Sequence, residues 1–333
     1  MKRIGVAFSW REESLGNIVN CSEYAEQVRV ESVWASEAWG REAFLALAAV
    51  AARTKRVKLG TGIVNVFSRS PGLLAMSAAT LDELSNGRAI LGIGTSGPTV
   101  VERWHGLRYE KPLTRVRETV AVVQKALSGS PTNYNGKIFQ VRDFQLAMQP
   151  PKRTIPIYLA ALRPRMLRLA GKIADGVLLY LCPLSRIPDA IKELRKGAEE
   201  AKRSVDAFEI AALLPTHVSE NHGEARHLVS KTIAYYVGGM GTYYHRLVSE
   251  SGFSLEAAKI REAWQQGDKL TATQSVSEEL VDSVALAGSV DHCRATLEMF
   301  RNAGITLPII SFGQIQGETS TRAVNESIKA LVG

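Results

Sequence analysis

Ala89-Ile90-Leu91-Gly92-Ile93-Gly94-Thr95-Ser96-Gly97-Pro98 is the stretch on which the choice of fold turns. Its apolar first half reads as a buried strand, and its glycines mark the point where that strand gives way to a loop. Gly92-Ile93-Gly94-Thr95-Ser96-Gly97 also spells G-x-G-x-x-G, and Pro98 can open a helix, so a Rossmann dinucleotide site has to be weighed. That fingerprint belongs to a βαβ unit with an acidic residue ending the next strand. Here the strand is the fourth of its series and leads through Val100-Val101-Glu102-Arg103-Trp104-His105 into a long loop. The reading adopted is therefore the other one, in which glycines let backbone amides approach a ring or phosphate at the C-terminal face of a barrel.

Working outward, short strand-like runs alternate with amphipathic helices in both directions. Upstream lie a strand at Ile4 to Ser9, a helical stretch near Val19 to Val30, a second strand at Ser32 to Ser36 and a helix at Glu42 to Thr54. A third strand covers Arg56 to Ile63. Gly72 to Leu84 follows Pro71 as a helix and stops at Asn86-Gly87, the chemistry of a left-handed helix end. Downstream, Arg115 to Leu127 is helical, and Asn133 to Phe139 reads as a hairpin hung before strand five. Ile155 to Ala160, Gly176 to Leu181, Phe208 to Leu214 and Leu307 to Phe312 supply strands five to eight, with helices at Arg165 to Lys172 and Ile187 to Ser204. Eight strands without a Pro/Gly/Ser linker predict one closed (β/α)8 TIM barrel, an α/β fold occupying all 333 residues as a single domain. Gly238 to Leu286 is too long for a simple βα loop and is read as an insertion over the barrel mouth.

Composition narrows the function. At 45% hydrophobic and 22% charged residues the chain has the makings of a large soluble core. The net charge of +8 is spread along the chain instead of forming a stripe, which argues against nucleic acid. Cys21, Cys182 and Cys293 are far apart and in no zinc-binding spacing, which points to a reducing cytoplasm and no structural metal. The longest apolar run, Phe44 to Ala52, falls short of the roughly 20 residues that span a bilayer, and the N-terminus reads as a strand instead of a signal peptide.

Several strand ends carry residues with chemical potential. Gly60-Thr61-Gly62-Ile63-Val64-Asn65 ends a strand with two glycines, either a tight turn or a place of close backbone approach. Glu37-Ala38-Trp39 follows strand two, where a carboxylate and an indole can face the mouth; a solvated Glu and a helix-covering Trp is the competing reading. Glu102, Trp104 and His105 form a second polar and aromatic group, with a surface histidine and a core tryptophan as the plainer interpretation. Ala160-Ala161-Leu162-Arg163-Pro164-Arg165 joins strand five to a helix and is the best phosphate candidate, unless it is an ordinary solvated helix start. No GxxxxGK[ST], HExxH or GxSxG occurs, so kinase and hydrolase readings lack support.

Taken as a set, Ser32 to Trp39, Leu59 to Asn65, Arg69-Ser70-Pro71, Thr80 to Arg88, Leu91 to Pro98, Glu102 to Gly106, Ala160 to Arg165 and Ile173 to Val177 resemble the luciferase-like superfamily. The resemblance is to its coenzyme F420-dependent branch, which includes methylenetetrahydromethanopterin reductases. It implies a flavin-like ring at the C-terminal mouth and a bulged third strand with a non-prolyl cis peptide at Gly62 to Ile63. The ring is then expected against Gly62, Ile63 and Asn65 and near Gly94, Thr95 and Ser96. The phosphate is expected near Ala160, Ala161, Leu162 and Arg163 and near Gly176 and Val177. Trp39 and Glu37 border the ring and substrate, with Glu37 as the proton-transfer residue. Two departures stand out: Ala38 where many relatives have His, and Arg163 where many have Gly. The implied activity is hydride transfer between a deazaflavin and a small substrate such as methylenetetrahydromethanopterin, an alcohol or a sugar phosphate. An FMN-dependent monooxygenase and a non-catalytic flavin-binding barrel are the alternatives, and a homodimer is the assembly the resemblance implies.

Overall fold

Runs buried on both faces form the main sheet, as parallel strands wrapped by helices require. The computed structural model describes residues 2–9, 14–205, 208–312 and 321–332. β1 (Gly5–Phe8), β2 (Ser32–Ala35), β3 (Lys58–Thr61), β4 (Ala89–Gly94), β5 (Ile157–Ala160), β6 (Gly176–Tyr180), β7 (Glu209–Val218) and β8 (Leu307–Phe312) pair in that order, all parallel. β8 also pairs with β1, from Gly5↔Ile309 to Phe8↔Phe312, so the ring closes as a (β/α)8 barrel. A closed ring has no switch point in strand order, which disposes of the Rossmann reading of Gly92 to Gly97.

Helices α1 (Leu15–Gln27), α2 (Ala43–Ala51), α3 (Pro71–Leu84), α4 (Pro112–Leu127), α5 (Pro164–Ile173) and α6 (Ile187–Glu200) return the chain from strand to strand. The start of α3 is set by Ser70, whose side chain accepts from the Leu73 amide, with Pro71 in the first turn. Its end is set by Asn86 and Gly87 at φ 56° and 82°, where the Gly87 amide donates to the Asp82 carbonyl at 2.8 Å. Between α4 and β5 an antiparallel hairpin pairs Thr132–Asn135 with Gln140–Phe144. Glu118 of α4 holds its turn by accepting from the amides of Lys137, Ile138 and Phe139 at 2.8 to 3.0 Å.

After β7 the chain makes a long excursion through α7 (His222–Ala234), α8 (Tyr243–Val248), α9 (Ser254–Gln265), α10 (Lys269–Gln274) and α11 (Glu278–Val284) before α12 (Val290–Asn302) leads into β8. It carries an apolar cluster of its own, built on residues such as Ile233, Ile260 and Leu280. β7 is longer than the Phe208 to Leu214 run expected, because Thr216–Val218 pairs with the short strand Leu286–Gly288. α13 (Thr321–Val332) follows β8. Among the described residues no helix is long and apolar enough to cross a membrane.

Two features of the barrel interior position the site. Trp34 of β2 is fully buried in the barrel's own core with Tyr158, Leu178 and Leu213, and its indole N–H donates to Ser32 Oγ at 2.9 Å. Gly60 on the neighbouring strand is bare because a Cβ there would lie 2.3 Å from the indole. The second feature is a break in β3. Leu59 pairs with Ala89, but Val64 pairs with Ile93, so β3 carries one extra residue relative to β4. The side chain of Thr61 bridges the gap: its hydroxyl donates to the Gly92 carbonyl at 2.7 Å and accepts from the Gly92 amide at 2.8 Å. The peptide bond from Gly62 to Ile63 is cis, and pairing resumes at Val64–Asn65.

Gly60→Ala drives a methyl group into the Trp34 ring. We expect it to lower the free energy of unfolding by about 1–3 kcal/mol, the usual cost of overpacking. Urea denaturation followed by tryptophan fluorescence measures this directly; an unchanged midpoint shows that Trp34 does not fill the interior as described.

Candidate active site

The bulge builds a ledge at the C-terminal mouth. Asn65 faces Gly94 in the resumed pairing, and a Cβ on Gly94 would lie 3.0 Å from the Ala160 methyl and 3.1 Å from the Ile63 side chain. Gly62 lies over the barrel core, where an added Cβ would meet Leu213 at 3.6 Å and Trp34 at 3.7 Å. Asn65 is 3% exposed; its Oδ1 accepts from the Phe67 amide at 2.8 Å, while its Nδ2 is buried with no protein partner. An unpaired buried amide N–H costs on the order of 1–3 kcal/mol, and it marks a place where an acceptor is wanted. Next along β4, Thr95 donates to the Ser96 carbonyl at 3.1 Å, and Ser96 sits at φ 53°. The structure thus brings together Gly62, Ile63, Asn65, Gly94, Thr95, Ser96 and Ala160. The ledge offers bare backbone for close approach and one orphan donor, Asn65 Nδ2.

Glu37 lies at the ledge's β2 side and is heavily engaged. Arg69 donates to its two oxygens at 3.1 and 2.7 Å, the Ala43 amide at the start of α2 donates to Oε2 at 3.0 Å, and Arg69 also reaches Glu42. The guanidinium rests 5.2 Å from the centre of the Phe44 ring. The Glu37 and Arg69 side chains are only 14% and 13% exposed. The carboxylate expected to carry a proton therefore clamps the loops after β2 and β3 together.

Above the ledge three loops meet through aromatic rings. Trp39, from the β2 loop, packs on Trp104 with centroids 3.8 Å apart; Trp104 closes a π-helical turn at Thr99–Trp104 that follows β4. Tyr235, at the end of α7, comes within 6.2 Å of Trp39 and 5.6 Å of Trp264 on α9. Trp39 and Trp104 remain 41% and 42% exposed, more than core packing would leave. Glu102 and His105 are exposed, and Glu102 accepts from the Tyr109 amide at 3.2 Å.

The β5 to α5 connection holds charge. Arg163 sits at the N-terminal cap of α5 and makes a two-pronged ion pair with Glu250, at 2.5 and 3.1 Å. The Leu162 amide is hydrogen-bonded to the Tyr243 hydroxyl, and burial pushes that phenol well above its ordinary range. Ala160, Ala161, Leu162 and Arg163 thus do lie at the mouth. Gly176 and Val177 do not, which corrects the expectation that they hold a phosphate. They open β6, level with Tyr158 and Leu159 in the register, and Gly176 abuts the Glu209 carbonyl at the start of β7. The mouth end of β6 is Tyr180, whose ring meets Tyr236 edge-on at 4.9 Å.

Sequence reasoning missed Arg69, Tyr109, Tyr235, Tyr243 and Glu250 as members of this neighbourhood. Tyr109 stacks on Phe67 at 5.0 Å and is hydrogen-bonded to Thr95, with burial raising its pKa. Arg69 had a local signal, since it precedes the Ser70-Pro71 helix start; the others had none. Among the described residues no group of His, Cys, Asp and Glu is placed to hold a metal ion.

A closed parallel barrel with a bulged third strand and a bare, aromatic-roofed ledge defines a class, and the chain belongs to it: the luciferase-like monooxygenase family matches residues 2–307. Within that family the chain is 31% identical to the 5,10-methylenetetrahydromethanopterin reductase of Archaeoglobus fulgidus, over 85% of either chain. It is 28% identical to an F420-dependent glucose-6-phosphate dehydrogenase of Amycolatopsis mediterranei, over 68% of this chain and 72% of that protein. The solved coenzyme F420 dependent tetrahydromethanopterin reductase of Methanopyrus kandleri superposes with a TM-score of 0.85 at 27% identity, covering 98% of this chain and 97% of that one.

Arg69→Ala leaves two carboxylates facing each other without their cation. We expect a loss of about 3 kcal/mol in stability, as for one partner removed from a largely buried pair. Much of it should disappear in a background that also carries Glu37→Gln, measured as a double-mutant cycle by chemical denaturation. Additive losses show that the two residues do not act as a pair.

Proposed function

We propose that this protein is a coenzyme F420-dependent oxidoreductase that exchanges a hydride with a small substrate, methylenetetrahydromethanopterin being the first to test. The observation that carries the reading is the ledge of Gly62, Ile63, Asn65, Gly94 and Ala160 with the orphan Asn65 Nδ2 buried in it. The relatives named above support it, and because they act on a pterin and on a sugar phosphate they leave the substrate open. When bound, the deazaflavin supplies the two-electron chemistry, so the protein's part is to bind, orient and exclude water.

Within this reading Asn65 Nδ2 donates to the ring, while Gly62, Ile63 and Gly94 set its plane. Arg163 meets the phosphate. Trp39 and Trp104 border the substrate and keep water from it. Glu37, held by Arg69, fixes the Trp39 loop and is the proton-transfer residue. Tyr109, a phenol protonated at neutral pH in any case and moved further up by burial, offers a second hydroxyl beside Thr95. We assign the excursion from 238 to 286 to shaping the substrate pocket within a single domain. The protein is proposed to work in the cytoplasm as a homodimer, without nucleic acid or membrane partners; its three cysteines are all free and buried.

A paired fluorescence titration with coenzyme F420 and FMN tests the reading. Micromolar binding of the deazaflavin is expected, with FMN at least tenfold weaker, and Asn65→Ala should weaken the deazaflavin roughly tenfold, the worth of one buried hydrogen bond. Preference for FMN moves the assignment to a monooxygenase, and binding of neither removes it.

A further inference from the structure

Arg163 and Glu250 come from different layers of the molecule. Arg163 belongs to the barrel mouth, between β5 and α5, and Glu250 to the turn that follows α8 in the excursion. Their ion pair spans 87 residues of sequence and uses both guanidinium prongs and both carboxylate oxygens. Arg186 and Arg246 also lie close enough to act on Glu250, and Arg186 is itself shared with Asp189 at 3.6 Å. Glu250 is an anion at neutral pH, as an ordinary glutamate is, and the hydrogen bond from Arg163 holds its carboxyl further below the usual carboxylate range. An anion arriving at Arg163 therefore meets a cation already half neutralised, with a fixed negative charge beside it.

Coulomb repulsion from that charge scales with the charge of the newcomer. A phosphomonoester such as that of FMN carries close to two negative charges near neutral pH, its second pKa being about 6. A phosphodiester has a single ionisable oxygen and carries one. One additional unit charge roughly 6 Å from a carboxylate, at the intermediate effective dielectric of a half-exposed site, changes affinity roughly tenfold.

We propose that Glu250 selects the cofactor by its phosphate. Paired with Arg163, it lowers the positive charge at the mouth to a level that accepts the phosphodiester of the deazaflavin and disfavours the phosphomonoester of FMN. The proposal rests on the reading of the β5 to α5 connection as the cofactor's phosphate seat, and it makes the excursion a determinant of cofactor choice as well as of substrate.

The test is competition against bound coenzyme F420, followed by its fluorescence, using three ligands with one and the same ring: riboflavin, FMN, and the methyl ester of FMN, whose phosphate is a singly charged diester. Wild type, Glu250→Gln and Arg163→Ala are compared at pH 7.5. Glu250→Gln should tighten FMN roughly tenfold more than the methyl ester and leave riboflavin unchanged. Arg163→Ala should weaken both phosphate-bearing ligands and spare riboflavin. An unchanged ratio of FMN to methyl ester in Glu250→Gln, or a parallel change in riboflavin, overturns the proposal. Arg163→Ala leaving every ligand unaffected while coenzyme F420 still binds also overturns it, without touching the oxidoreductase reading. If coenzyme F420 itself fails to bind the wild type, both fall together.

Discussion

Thr61 does with its side chain what a straight strand does with its backbone. By donating to and accepting from Gly92, its hydroxyl restores the two ladder hydrogen bonds that the extra residue of β3 displaces. The cost of leaving those backbone groups unpaired in the barrel wall would fall in the range of a few kcal/mol, enough to matter against a typical folding free energy. With that exchange in place, the chain can leave the sheet at Gly62 and rejoin it at Val64, and Asn65 is delivered opposite Gly94. Gly92 itself follows from the same constraint, because a Cβ there would come within 1.8 Å of the Thr61 carbonyl oxygen, a backbone atom with nowhere to go. The Gly92-Ile93-Gly94 run thus serves the bulge first and the mouth second, and its likeness to a dinucleotide fingerprint is a coincidence of letters.

From the bulge the rest of the mouth can be followed outward. Trp34 fills the interior below and needs Gly60 bare beside it, so the second and third strands are matched in volume at the level just under the ledge. Arg69, on the far side of the bulge, pulls the β2 loop against it through Glu37 and Glu42. Trp39 is two residues from Glu37, so the clamp also sets where the indole stands. A rigid lower layer, made of strand ends and their hydrogen bonds, therefore carries an upper layer of rings contributed by three separate loops.

The sequence was legible where structure is decided locally and opaque where it is decided by partners far along the chain. Strand ends and helix ends followed from periodicity and turn chemistry: Pro71 stands in the first turn of α3, and Asn86 and Gly87 end it, in the way their residue types demand. The cis bond at Gly62 and Ile63 was expected from family resemblance, and the hairpin after α4 from its Asn and Gly. The extra length of β7 was not readable, because Thr216–Val218 owes its strand geometry to residues 286–288. Nor were the pairs Arg69 with Glu37 and Arg163 with Glu250, which join residues 32 and 87 apart with no motif between them. Gly176 and Val177 illustrate the opposite error. A glycine at a strand terminus looks like a site, but the pairing of Gly176 with Tyr158 shows which terminus it is, and at the start of β6 it lies at the barrel's floor.

The division between layers has a consequence for how such a barrel changes its chemistry. Substitutions in the lower layer that disturb the bulge, the interior packing or the clamp register first as lost stability. Residues of the upper layer, such as Trp39, Trp104, Tyr235 and Glu250, are partly exposed and reach the mouth from segments that do not set the barrel's closure. They can vary with less effect on folding than the strand ends beneath them. The excursion between β7 and β8 supplies Tyr243 and Glu250 and rests on an apolar cluster that is largely its own and meets the barrel at Tyr180 and Leu181. A ledge fixed by the barrel and a roof carried on separate segments thus divide the mouth into a part that folding constrains tightly and a part that it constrains less.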